Sequence, residues 1–187
     1  KGLAETAVLF GHVLKNGFGP LIIDWMERGV ITLYAVNTAG TIHDFELAAF
    51  GGTSEDVAAG LGDGTFGMAE ETGRDMNAAI SAAARGNLGM GEGLARHLAA
   101  LPERPGEEVS VLLACLRHDV PVTVHTAVGA EIIHQHPTAD GAAMGATSHR
   151  DFLRLAGSLP TIDQGGVVMN WGSAVIMPEV FLKALTI

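Results

Sequence analysis

Short apolar segments alternate along the chain with segments whose apolar residues recur at helical spacing. An almost wholly apolar, β-branched run covers 30–36, and shorter apolar runs cover 7–10, 121–125 and 166–170. Runs of this kind are typical of strands buried on both faces of a parallel sheet. The helical pattern predicts helices over 21–28, 42–50, 75–85, 88–101, 110–118, 148–159 and from 177 to the end.

This alternation predicts an α/β fold with a mainly parallel sheet and helices on both faces, a Rossmann-like three-layer α/β/α architecture. A length of 187 residues favours a single domain. The glycine-rich stretch 51–74 predicts an ordered loop with short helical turns. Because the chain starts with Lys1 and its apolar helical pattern runs on to Ile187, we expect terminal segments to be missing from it.

Composition excludes several classes of protein. Hydrophobic residues make up 48% and charged residues 17%, which is too apolar for a disordered chain. The apolar runs are shorter than the ~20 residues of a membrane-spanning helix, so no membrane role is expected. A net charge of −10 argues against a nucleic-acid partner. A single cysteine excludes an internal disulfide and favours the cytoplasm. The mean hydropathy of +0.29 predicts a homo-oligomer.

Candidate chemistry follows three of the predicted strands, at the edge where parallel sheets hold their ligands. Small residues and then titratable ones follow the first of these strands, His125 and then His134, His136 and Asp140 follow the second, and a polar turn follows the last. The residues after the first and last strands are Thr38, Ala39, Gly40, His43, Asp44, Glu46, Asn170, Gly172 and Ser173. His43 is the candidate proton acceptor because its ordinary pKa lies nearest neutrality. The acids suit a cationic amine or guanidine. Tight turns and a solvated helix start are the structural alternatives.

Two other functions stay open. Four residues, His125, His134, His136 and Asp140, could serve a metal-assisted hydrolase, although their spacing is loose. Alternatively, the chain could be a nucleotide-binding or regulatory module without catalysis.

The order of elements and the residues at the strand ends resemble deoxyhypusine synthase and its bacterial relatives. The segments that carry this resemblance are 9–19, 38–44, 118–122, 138–145 and 165–175. The resemblance implies a Rossmann-like fold, an NAD site at the strand ends and a tetramer. It also implies that His43 and Asp44 take the places of two acids of that family.

The cofactor-binding residues that the resemblance implies are Gly11, Asn16, Thr38, Ala39, Gly40, Asp140, Gly141, Asn170, Gly172 and Ser173. None of the lysines, Lys1, Lys15 and Lys183, stands in the family's Ser-Trp-Gly-Lys setting. The expectation is therefore an NAD-type or other nucleotide pocket in an enzyme for a small cationic substrate, such as an NAD-dependent transferase or oxidoreductase, rather than deoxyhypusine synthesis itself.

Overall fold

A computed structural model describes residues 6–10, 13–53, 60–62, 64–65 and 69–187. Its centre is a parallel sheet of four strands, β1 (Thr6–Phe10), β2 (Leu33–Asn37), β3 (Val122–His125) and β4 (Val167–Trp171). The strands lie side by side in the order β3-β2-β1-β4. The α/β prediction with a parallel sheet is confirmed.

Helices connect the strands and cover both faces of the sheet. They are α1 (Gly19–Glu27), α2 (Thr38–Phe50), α3 (Glu70–Arg85), α4 (Met90–Ala100), α5 (Val111–Arg117), α6 (Gly141–Ser158) and α7 (Ile176–Ala184). In the described part of the chain, 3₁₀ turns lie at Leu14–Asn16, Glu107–Val109, Ile132–His134 and Leu159–Gln164. Among the residues that the structure describes, no helix is both long and apolar enough to cross a membrane.

The two faces of β2 show the layering. Tyr34 and Val36 belong to the larger apolar core, to which α1 through α5 contribute. Leu33 and Ala35 alternate with them along the strand and pack into a second core with residues of α6 and α7. Every residue of β2 and β3 is buried, whereas those of β4 are half-buried or exposed.

The strand order reverses next to β1. Residues of β1 pair with β2 on one side, as in Ala7 with Leu33, and with β4 on the other, as in Ala7 with Val168. The chain passes from β1 to β2 and β3 on one side, then crosses back to β4 on the other. Ligands of open α/β sheets bind at the carboxyl edge near such a reversal.

Several helices begin earlier than the sequence pattern predicts. Helix α2 starts at Thr38, so residues 38–41 form its first turn rather than a loop, and the Asn37 side chain accepts a hydrogen bond from the Gly40 N–H at 3.1 Å. Helix α6 starts at Gly141 rather than 148, because Asp140 accepts hydrogen bonds from the N–H groups of residues 142 and 143. Helix α3 starts at Glu70 rather than 75.

Strand β2, in contrast, begins later than the sequence pattern predicts. The run from 30 was expected to be strand throughout, yet β2 begins at Leu33. Val30 and Ile31 instead donate their N–H groups to the carbonyl oxygen of Trp25, at 2.8 and 3.2 Å, and so close the end of α1. Apolar content alone does not distinguish a residue that belongs to a strand from one that closes the end of a helix.

Candidate functional site

Hydroxyl groups join three elements at the carboxyl edge of the sheet. The Thr38 hydroxyl, at the start of α2, lies 2.9 Å from the hydroxyl of Thr126, which follows β3. The Ser148 hydroxyl of α6 accepts a hydrogen bond from the Thr126 N–H and donates one to the Val124 carbonyl, both at 3.0 Å. These bonds fix the ends of β2 and β3 relative to α6.

A cavity of about 280 Å³ opens beside this edge, between α6 and α7. Helix α6 contributes Met144, Ser148 and Phe152 to its lining, and α7 contributes Ile176. His125, the last residue of β3, also borders it. The cavity therefore lies at the carboxyl end of β3, on the edge of the sheet where parallel α/β folds hold ligands but two strands away from the reversal beside β1.

His125 is only 3% exposed. Its Nε2 atom lies 3.0 Å from the Thr123 hydroxyl, two residues back on the same face of the strand. Burial lowers the pKa of His125 from 6.5 to about 4, because the surroundings disfavour the imidazolium ion. The ring is uncharged at neutral pH.

His43 and Glu46 meet through the hydroxyl of Thr53. That hydroxyl donates to Glu46 Oε2 at 2.6 Å, and the Thr72 hydroxyl donates to Glu46 Oε1 at 3.0 Å. Since the single Thr53 hydroxyl proton goes to Glu46, the Thr53 oxygen accepts from His43 Nδ1, 2.8 Å away. The structure thus links two of the candidate catalytic side chains, through a threonine that nothing in the sequence pattern singles out.

Asp44 lies apart from this pair. Its carboxylate accepts hydrogen bonds from the Ser110 hydroxyl and the Val111 N–H, both at 2.7 Å, and from the Leu112 N–H at 3.1 Å. It is 1% exposed, and burial raises its pKa from 3.8 to about 6 against the opposing effect of these bonds. The expected cluster of His43, Asp44 and Glu46 does not form, because successive helical residues point about 100° apart. Asp44 instead caps the start of α5.

The turn after β4 uses its predicted cofactor residues to begin α7. Asn170 donates from its side-chain amide to the Ser173 carbonyl at 2.9 Å, and the Ser173 hydroxyl accepts from the Met177 N–H at 3.1 Å. Gly172 has a φ of +75°, a left-handed conformation that favours glycine. The side chains of Asn170 and Ser173 thus make local hydrogen bonds that begin α7.

The remaining predicted cofactor residues lie at helix or turn ends. Asp140 caps α6 and Gly141 is its first residue, while Asn16 ends the first 3₁₀ turn. At the start of α2, the Ala39 N–H donates to the side chain of Glu131. Burial raises the pKa of Glu131, and this hydrogen bond opposes the rise. Gly11 lies outside the described residues.

The histidines of the metal hypothesis do not converge. His134 Nδ1 accepts from the N–H groups of Gly129 and Glu131, at 3.1 and 3.2 Å. His136 Nδ1 lies 2.7 Å from the Thr138 hydroxyl, and its ring packs close to Gly73 of α3. Within the described ranges, no group of three or more His, Cys, Asp or Glu side chains could hold a metal ion. The metal-assisted hydrolase therefore has no site in that part of the chain.

The four-strand parallel sheet between two helical layers defines a Rossmann-like three-layer α/β/α fold. No protein-family model matches the sequence, and no curated protein matches it either. Among solved structures, the fold is similar to part of ArgZ, an arginine dihydrolase from the ornithine-ammonia cycle in cyanobacteria. The sequence identity is 15% and the TM-score 0.57, and the match covers 96% of this chain but 23% of ArgZ.

A conserved putative LOR/SDH protein from Methanococcus maripaludis is also similar, with 15% identity and a TM-score of 0.44, over 100% of this chain and 63% of that one. The resemblance to deoxyhypusine synthase is wrong: the fold is instead similar to part of ArgZ, and no family model or curated protein supports that family. The segments that suggested it are short runs of Gly, Thr and Asp. Such residues are common wherever a strand turns into a helix.

Proposed function

We propose that this chain is the nucleotide-binding domain of an enzyme that acts on a small cationic substrate, an amine or a guanidine. The observation that carries the proposal is the cavity at the carboxyl edge of the parallel sheet, bordered by His125, Thr126 and Ser148. Cofactors of Rossmann-like folds bind at this edge. We propose NAD as the first nucleotide to test.

The substrate class rests on charge and on the fold. The chain carries a net charge of −10, which attracts cations. ArgZ, which contains a similar fold, is an arginine dihydrolase, and arginine carries a guanidinium group. Because this chain spans 23% of ArgZ, the substrate proposal concerns the whole enzyme to which such a domain belongs.

His43 is the proposed proton acceptor, and Glu46 is its positioning partner. The Glu46 carboxylate holds the Thr53 hydroxyl, which in turn accepts from His43 Nδ1. This chain of hydrogen bonds fixes the tautomer of His43 with its proton on Nδ1. A neutral imidazole in that tautomer has its basic lone pair on Nε2.

The second candidate is a nucleotide-binding module without catalysis. It is favoured by the position of Asp44, one of the three candidate catalytic side chains, in the core at the start of α5. The two candidates share nucleotide binding and differ only in turnover.

Calorimetric titration and thermal shift with NAD⁺, NADH, ADP and ATP test the nucleotide site. A ligand at a hundred times its Kd stabilises by about 2.7 kcal/mol, which raises Tm by about 5–11 °C for a domain of this size. If none of the four nucleotides shifts Tm or gives heat, the proposed function is wrong.

Turnover of arginine, agmatine, ornithine and spermidine, with NAD present, separates an enzyme from a binding module. The His43→Ala variant should keep its nucleotide affinity and lose the effects of the cationic substrate. His118→Ala is the matched control, because His118 lies at the end of α5 beside Glu27. Equal substrate effects in both variants would remove His43 from the proposed mechanism.

A further inference from the structure

The cavity between α6 and α7 has mostly apolar walls, and its polar lining consists of the buried ring of His125, the exposed ring of His149 and the hydroxyl groups of Thr126 and Ser148. Met144 and Phe152 of α6 and Ile176 and Val180 of α7 line its sides. His125 borders it from the end of β3 and is 97% shielded from solvent, since its exposed fraction is 3%. Because the walls are apolar, a hydrogen bond to that ring is stronger there than it would be in water.

The hydrogen bonds of His125 leave one ring nitrogen for a ligand. Nε2 lies 3.0 Å from the Thr123 hydroxyl, which is completely buried. Nδ1 makes no hydrogen bond to any described residue. The Nδ1 atom also retains some solvent-accessible surface. That surface belongs to a residue that borders the cavity.

The Thr123 hydroxyl decides which nitrogen carries the proton. Within the described part of the chain, His125 is the only hydrogen-bond partner of that hydroxyl. A buried hydroxyl that fails to donate carries a large desolvation cost, so Thr123 donates to Nε2. The proton of the neutral ring then lies on Nδ1, which makes this nitrogen a hydrogen-bond donor.

The part of the cavity beside His125 therefore favours an uncharged group that accepts a hydrogen bond. Burial keeps His125 neutral, so the ring offers an anion no charge to pair with. The volume of about 280 Å³ equals that of about nine water molecules at roughly 30 Å³ each, which is room for one small planar ring. A single planar ring with a carboxamide, or a purine, has this size.

We infer that this cavity binds an uncharged planar group through a hydrogen bond from His125 Nδ1–H to its carbonyl oxygen or ring nitrogen. This inference rests on the proposed function, because it assigns the cavity to the base or carboxamide end of the nucleotide. His125 is then a residue that determines specificity, selecting groups that accept a hydrogen bond.

Two glycines of α6 provide a matched pair of variants. A Cβ added at Gly145 or at Gly157 meets no atom within 4 Å, and both residues are exposed positions of the same helix. Gly145 lines the cavity, whereas Gly157 does not. Both substitutions to leucine improve helix propensity, so both variants should fold. Only Gly145→Leu adds a side chain to the cavity.

The test compares the Kd of NAD⁺ for the wild-type chain, Gly145→Leu and Gly157→Leu by calorimetry, with free nicotinamide and adenine as further probes. We expect Gly145→Leu to weaken NAD⁺ binding at least tenfold and Gly157→Leu to leave it unchanged. Equal affinity for all three proteins would overturn the cavity assignment while the proposed function stands. No binding by the wild-type chain would overturn both.

The role of His125 has its own readout. Long-range ¹H–¹⁵N spectra should show the ligand-free ring neutral at pH 7 with its proton on Nδ1, and the Nδ1 signal should shift when NAD⁺ or the free ring binds. The His125→Phe variant, which keeps a planar ring and loses the donor, should bind at least tenfold more weakly. A proton on Nε2, or an Nδ1 signal that saturating ligand leaves unchanged, would contradict the inference even if that variant fails to fold.

Discussion

Asp151 of α6 provides a sharp test of how burial governs ionisation in this fold. Its side chain is 1% exposed, and Oδ2 accepts hydrogen bonds from the N–H groups of Gly91 and Val124, both at 2.9 Å. Oδ1 is buried and has no hydrogen-bond partner among the described residues. Burial raises the pKa of Asp151 from 3.8 to about 7, although the nearby backbone N–H groups of Gly91, Val124 and Met90 and the charge of Arg154 oppose the rise.

The perturbation is Asp151→Asn, which imitates the protonated acid. The amide oxygen keeps both hydrogen bonds of Oδ2, and the amide nitrogen replaces Oδ1. Because the native carboxyl binds its proton more tightly than the unfolded one, the contribution of Asp151 to wild-type stability is greatest at low pH. It falls as pH rises from about 3.8 through about 7. The total loss is about 4 kcal/mol, at about 1.4 kcal/mol per pH unit.

Urea unfolding of both proteins at pH 5 and pH 8 measures this effect, and the comparison cancels other titrating groups such as Asp44. Relative to wild type, the Asn variant should gain roughly 3 kcal/mol between the two pH values. Its stability curve should be flatter above pH 5. If the variant instead loses stability relative to wild type as pH rises, Asp151 is ionised in the native state and the reasoning about its burial is wrong.

Further predictions concern caps, close packing and assembly. Asp44→Ala leaves the hydrogen-bond donors at the start of α5 unpaired, so it should lower the free energy of unfolding by about 3–5 kcal/mol and Tm by about 6–20 °C. The control Asp24→Ala, at an exposed ion pair, should change the free energy of unfolding by under about 1 kcal/mol. Gly89→Ala places a Cβ against the Asp151 carboxylate and should cost about 1–3 kcal/mol in urea unfolding; a neutral effect would contradict this packing. The apolar side chains of Val167, Val175 and Leu182 are 51–64% exposed, and a homo-oligomer would bury such side chains. Light scattering should therefore return a mass of at least twice 19.4 kDa, and the monomer mass would refute a homo-oligomer.

The sequence predicts the parallel sheet because periodicity and β-branched content mark strands that are buried on both faces. Every residue of β2 and β3 is buried, as this pattern requires. Helix starts are harder to place, since a cap depends on one side chain and its φ and ψ angles. Asp140 is a favourable cap followed by Gly141, yet the residues over 141–147 are small apart from Met144, and this hides the helical pattern of α6.

The candidate site is only partly visible in the sequence. Three residues apart on α2, His43 and Glu46 share a helix face, and that much follows from the helical repeat. The roles of Thr53 and Ser148 depend on loops and helices that come together only in the folded chain. Asp44 looks like a neighbour of His43 in sequence, but the rotation of the helix turns it toward α5.

The central position of β1 has a consequence for how the chain folds. Its neighbour β2 follows within the next 30 residues, but the pairing of Thr6 with Val167 joins residues 161 positions apart. Closing that longer loop costs roughly 1.5 kcal/mol more entropy than closing the shorter one. During synthesis, one edge of β1 therefore stays without its partner until β4 leaves the ribosome. A partly made chain exposes a hydrogen-bonding edge that can pair with another chain, so slow translation of 11–166 should increase aggregation.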